Sequence, residues 1–184
     1  MRAFVAVELE EEIRGNLAAA SRELSALPAD VKWVGRDSFH ITLQFLGEVS
    51  PRILPQLSGA IRDSAAVARP FSLTVSGIGT FPAGRRPKVI WAGGQAPQVL
   101  LTQQRLAENL ARLGFVPDRS FSPHVTLGRV RSPRNLAPLL EALPRYAGRA
   151  FGQQHVEAIA LMESRLTPAG AIYTRVQAFP LGGA

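Results

Sequence analysis

The residues best equipped for chemistry are two histidines in matched settings. Residues 39–47 read Phe39-His40-Ile41-Thr42-Leu43-Gln44-Phe45-Leu46-Gly47, and residues 121–129 read Phe121-Ser122-Pro123-His124-Val125-Thr126-Leu127-Gly128-Arg129. Each copy carries His, an aliphatic residue, Thr and Leu in that order, in a composition that favours strands. Successive side chains on a strand point to opposite faces. His40 and Thr42 therefore share one face, with Ile41 and Leu43 beneath, and His124 and Thr126 share one face above Val125 and Leu127. A single His-x-Thr reads as an ordinary core or surface histidine. The chain has only 3 histidines, so the second copy is what gives the first its meaning. His155 lacks the threonine and reads as structural or surface.

An imidazole beside a hydroxyl, offered twice, suits proton transfer at a reacting oxygen. Imidazole titrates near ~6.5, so near neutrality one histidine can accept a proton while the other donates one. The hydroxyls of Thr42 and Thr126 can donate to oxygens on which negative charge builds. A metal hydrolase is the rival reading. The chain has no His-x-x-x-His, no His-x-His, no cysteine and no acidic cluster near either motif, so neither a metal nor another cofactor is expected. A module that binds RNA or nucleotide without turning it over stays open as the alternative.

These pairs need elements to hold them. Alternation predicts a strand over 2–8, and Ile13, Leu17, Ala20, Leu24 and Leu27 predict a helix over 10–27. A short strand at 31–34 and the 35–38 turn lead into the first histidine strand. Ser50 before Pro51 predicts a capped helix to about residue 68, with Ile53, Leu57, Ala60, Ile61 and Val67 inward. Strands follow at 71–78 and 89–93, around a loop at 77–88 rich in Gly, Pro and Arg. A helix over 97–113 is expected to bury Leu100, Leu101, Leu106, Leu110 and Leu113, with Gly114 ending it. A linker precedes the second histidine strand, then a helix over 132–143 and two closing strands at 151–163 and 171–180. The order of strand, helix, strands, helix, strand comes twice. That predicts an α+β fold over 1–184: two pseudo-symmetric lobes, each with an antiparallel sheet and flanking helices, and a cleft between them.

Composition bounds the setting. At 184 residues the chain can bury a core. The formal net charge is +7, and of 21 basic residues only Lys32 and Lys88 are lysines. Arginine suits phosphate through its bidentate fork, so an anionic partner fits, although a bias in overall composition gives the same skew. With 0 cysteines there is no disulfide or thiolate chemistry. The opening residues run straight into Glu8 and Glu10 without a signal-like apolar stretch, and no apolar run reaches membrane-spanning length, so a cytoplasmic protein, acting as a monomer away from membranes, is expected.

Taken together, these motifs resemble those of the 2H phosphoesterase superfamily, and within it the RNA 2′,3′-cyclic phosphodiesterase family, also called 2′-5′ RNA ligases. The resemblance covers nearly the whole chain. It includes the strand Arg2-Ala3-Phe4-Val5-Ala6-Val7, Trp33-Val34, both motifs, Phe81-Pro82 with Arg86-Pro87 and Trp91, and Glu163-Ser164-Arg165-Leu166 with Gly170-Ala171 and Tyr173. It implies a bilobal fold with a basic cleft, and metal-independent opening of RNA 2′,3′-cyclic phosphate ends to 2′-phosphomonoesters. On that reading His124 is assigned as base, His40 as acid toward O3′, and Thr42 and Thr126 as phosphate donors. The same groups run in reverse would form a 2′-5′ linkage as a minor reaction.

Further contacts to RNA are expected from Arg129, Phe81, Arg86 and Tyr173. Strict alternation puts Arg129 on the wrong face, so it reaches the cleft only if the strand bulges at Gly128. Phe81, Trp33 and Phe121 are candidate stacking rings, with core packing as the competing role. Arg85, Arg86 and Lys88 form a basic loop suited to a phosphate backbone.

Overall fold

Period-2 alternation in the strands and 3.6-residue periodicity in the helices resolve into thirteen regular elements in a computed structural model, which describes residues 1–117 and 120–182. In chain order they are β1 (Arg2–Glu8), α1 (Glu11–Ser25), β2 (Val31–Trp33), β3 (His40–Glu48), α2 (Leu54–Val67), β4 (Phe71–Phe81), β5 (Val89–Gln95), α3 (Pro97–Ala111), β6 (His124–Val130), α4 (Ala137–Ala142), β7 (Ala150–Val156), β8 (Ala158–Thr167) and β9 (Gly170–Pro180). The strands form one curled antiparallel sheet in the order β7-β4-β5-β6-β3-β1-β8-β9, with β2 also paired to β6.

The sheet is two halves joined at one seam. β7, β4, β5 and β6 form one half, and β3, β1, β8 and β9 the other. They meet where Ile41 of β3 pairs with Val125 of β6. One face of the sheet carries Ile41, Leu43, Val125 and Leu127, all buried in a core shared with Leu17, Leu57 and Leu106 of the helices. The other face is covered only locally, by Phe4, Ala6, Ala160 and Met162 with Tyr173 against them. The α+β reading with antiparallel halves and flanking helices matches this architecture.

Three expectations are corrected in detail. The strand expected over 151–163 is two, because Glu157 separates β7, which pairs with β4, from β8, which pairs with β1 in the other half. In α3, Leu106 and Leu110 are buried as expected, but Leu100 and Leu101 are exposed and Val99 is buried in their place. In the second helix the first turn after Ser50 is a 3-10 turn, with Ser50 Oγ accepting from the Arg52 amide, α2 proper begins at Leu54, and Val67 at its last turn is exposed rather than inward.

Bulges in the two central strands matter most for the site. Val5 pairs with Gln44 and Ala6 with Thr42, so Leu43 is an extra residue in β3. Ile90 pairs with Gly128 and Trp91 with Thr126, so Leu127 is the extra residue in β6. Each bulge falls directly after the motif threonine and reverses the facing of the next residues in its strand.

Candidate functional site

Antiparallel pairing at Ile41 and Val125 fixes the relation of the two motifs. Counting outward from that pair, Thr42 lies toward His124 and His40 toward Thr126, on the face away from the helices. The register thus places the four residues about a local twofold axis at the seam.

Both imidazoles are oriented the same way. His40 Nδ1 lies 2.8 Å from the Ser38 carbonyl oxygen, and His124 Nδ1 lies 2.7 Å from that of Ser122. A carbonyl only accepts, so Nδ1 carries the proton in each ring and Nε2 is the atom turned to chemistry. His40 Nε2 stands 2.9 Å from Thr42 Oγ1 and accepts its hydroxyl proton while the ring is neutral. Burial holds His40 neutral, pushing its pKa from 6.5 down to about 4. The Ser38 carbonyl works against this, and the charge of nearby His124 works with it.

An aromatic group flanks each histidine edge-on. Tyr173 of β9 lies 5.0 Å from His40 at 89°, and Phe4 lies 4.8 Å from His40 and 5.1 Å from Tyr173, so the three rings form one cluster. Phe81 of β4 lies 5.5 Å from His124 at 80° and packs on Trp91 at 5.2 Å. Tyr173 and Phe81 therefore both stand in the site. Gly79 makes room for this: a Cβ there would come within 2.4 Å of the Trp91 ring.

The bulge settles the facing of Arg129. It is cross-strand from Val89, which is cross-strand from Phe81, and direct partners share a face. Arg129 thus joins the histidine face, exposed at its rim. Lys32 pairs with Arg129 and adds a second cation there. Arg86 is exposed in the β4–β5 turn. Trp33 and Phe121 pack against the helix-side core, which removes them as stacking rings of this face. The sequence reading missed Phe45. It pairs with Phe4, so the Leu43 bulge puts it on the histidine face, 61% exposed. The signal was the motif's own symmetry: Phe45 and Arg129 each stand three residues beyond the motif threonine.

Among the described residues no three His, Asp or Glu side chains are grouped so as to hold a metal ion. No helix among them is long and apolar enough to cross a membrane.

A curled sheet with one His-x-Thr pair from each half defines a two-histidine site of pseudo-twofold symmetry. The chain belongs to the family described as LigT like Phosphoesterase, which it matches over residues 7–91 and 93–173, one motif in each stretch. It is 36% identical over 182 residues to a protein of Methanothermobacter thermautotrophicus named RNA 2′,3′-cyclic phosphodiesterase, covering 98% of this chain and 99% of that one. An Aquifex aeolicus protein of the same name is 35% identical, covering 100% and 98%. Among solved structures, a Thermus thermophilus protein superposes with a TM-score of 0.84 at 32% identity, covering 100% of this chain and 99% of that one. Escherichia coli LigT complexed with 3′-AMP superposes with a TM-score of 0.78 at 27% identity, covering 98% and 97%.

Proposed function

We propose that this protein opens RNA 2′,3′-cyclic phosphate ends to 2′-phosphomonoesters without a metal, using His40 and His124 as the acid–base pair. The observation that carries this is the pairing of the two motifs at Ile41 and Val125, with Nδ1 of each imidazole held by a backbone carbonyl and the Thr42 hydroxyl 2.9 Å from His40 Nε2, in a chain belonging to a family whose named relatives are RNA 2′,3′-cyclic phosphodiesterases.

Hydrolysis consumes one water. His124 Nε2 takes a proton from the water, its oxygen bonds to phosphorus, the P–O3′ bond breaks, and His40 Nε2 gives a proton to O3′. Thr42 and Thr126 donate to the non-bridging oxygens, where charge builds during attack. His40 is neutral in the empty site, so its role as donor depends on the anionic substrate. A phosphate beside His40 favours the charged form of that ring and loads a proton on its Nε2. That nitrogen then stops accepting from Thr42, and the freed hydroxyl turns to phosphate. With a 5′-hydroxyl in place of water the same steps form a 2′-5′ linkage: the hydroxyl gives its proton to His124 Nε2, its oxygen bonds to phosphorus, and the P–O3′ bond breaks as His40 Nε2 protonates O3′, a reaction that concentrated water keeps minor.

Arg129 and Lys32 would hold the backbone phosphates, and Phe45 and Phe81 offer faces for a base. The test is a short RNA ending in a 2′,3′-cyclic phosphate, incubated with the protein in chelator, with 2′- and 3′-phosphate products resolved. A 2′-phosphate is expected. Product formed only after adding a divalent ion, or a 3′-phosphate, contradicts the reading.

A further inference from the structure

A cavity of about 350 Å³ lies on the helix side of the sheet, between α1 and the segment leading into β3. Its walls include Ser21, Arg22 and Ser25 of α1 and Trp33, Arg36 and Phe39 of the facing segment. Nothing in the catalytic account uses it, and its volume is within the range of small-ligand sites.

The lining combines three recognition chemistries. Arg22 and Arg36 bring two guanidinium groups, and Arg36 is held in place. It pairs with Glu11, which also binds Arg14 at 2.8 Å, and its guanidinium rests 3.4 Å from where a Cβ on Gly15 would stand. Half-buried Trp33 brings aromatic surface, and buried Phe39 backs the wall. Ser21 brings a hydroxyl that finds no partner among the described residues, although the residue is only 8% exposed. Its counterparts in other helices are satisfied: Ser64 donates to the Ala60 carbonyl at 2.7 Å and Thr102 to that of Gln98 at 2.9 Å. A buried hydroxyl left unpaired in this way is unfavourable until something supplies a partner.

One buried residue, Phe39, stands between the cavity and the histidine side. Phe39 lines the cavity and also lines a smaller recess formed by Asp37, Arg14, His40 and Tyr173.

We propose that this cavity is a nucleotide subsite, taking one base beside Trp33 with Ser21 on its edge, and one phosphate at Arg22 and Arg36. A nucleotide upstream in the RNA and a free mononucleotide present the same chemistry. Only the choice of the RNA strand as source rests on the phosphodiesterase reading.

Two measurements test this. One compares KM for a cyclic mononucleotide with KM for a trinucleotide ending in the cyclic phosphate. The other is calorimetric binding of 5′-AMP to a variant with His40→Ala and His124→Ala. Occupancy by the RNA strand predicts a trinucleotide KM ~tenfold lower, an advantage abolished by Arg22→Ala and by Ser21→Leu, with kcat and the mononucleotide KM unchanged. Arg22 is exposed, so its variant keeps the test valid if Ser21→Leu fails to fold. Saturable AMP binding lost on Arg22→Ala, with no length effect, would assign a free nucleotide. Equal KM for both substrates, with no AMP binding that responds to Arg22→Ala, overturns the proposal. If neither substrate is hydrolysed, the phosphodiesterase reading falls, and the AMP measurement still decides the subsite.

Discussion

Ile41 pairs with Val125 at the one point where β3 and β6 meet, and both side chains are fully buried. That contact joins the two halves of the sheet and brings the His-Thr pairs together across it. Its apolar side anchors the site from beneath while the opposite side stays free for chemistry. The geometry of the acid–base pair is thus a property of two core residues that touch no substrate.

Truncating Ile41 to Ala is expected to lower stability by about 2–5 kcal/mol, as core truncations do. Because it loosens the seam, it should also lower kcat at temperatures where the variant stays folded. Denaturant melts and turnover measured together check this. Loss of stability with unchanged kcat would detach the seam from the site.

The burial of His40 has a consequence for pH. Its pKa in the folded protein, about 4, lies below the ordinary 6.5, so between those values the unfolded chain binds more protons. The stabilisation is complete above pH ~6.5 and is lost as pH falls through about 4, by at most ~3 kcal/mol. His40→Gln should flatten that part of the stability curve. An NMR titration should place the His40 midpoint near 4 in the free protein and higher with phosphate bound. A midpoint near 6.5 in both would contradict the account.

Thr42→Val and Thr126→Val keep β-branching and volume while removing the hydroxyl. Each is expected to lower kcat by ~10²-fold, the scale of losing one oxyanion donor, with little change in KM. Steady-state kinetics on the variants decides it. A rise in KM alone would make the threonines ground-state binders.

Arg129→Gln should raise KM and reduce the salt slope of RNA binding by ~1, because one phosphate contact is lost. An unchanged slope would leave Arg129 a rim charge without contact to substrate.

Much of this was legible in the sequence because it is local. The His-x-Thr repeat, the alternation under each motif, the helix periodicities of α1 and the stop at Gly114 all arise from neighbouring residues. The bulge that carries Arg129 to the cleft face is only a condition in the sequence, since a lone Gly128 does not show whether a strand slips register. Phe45 was missed for the same reason, as its facing depends on Leu43 finding no partner on β1. The break at Glu157 was hidden because no Gly, Pro or Asn marks it between Val156 and Ala158, and only pairing with distant strands separates β7 from β8. Leu100 and Leu101 misled because two adjacent leucines satisfy a helical pattern in either of two settings, and the packing of α2 on α3 chose Val99.

The most direct test of the two-histidine account is the rate of the cyclic-phosphate opening in three proteins: His40→Ala, His124→Ala and the double variant. Groups that act as a unit are non-additive when removed. Each single variant is predicted to lose ~10²–10⁴-fold in kcat, and the double variant no more than the slower single. A single variant that keeps near-full activity, or losses that multiply in the double variant, would contradict a concerted acid–base pair at the seam.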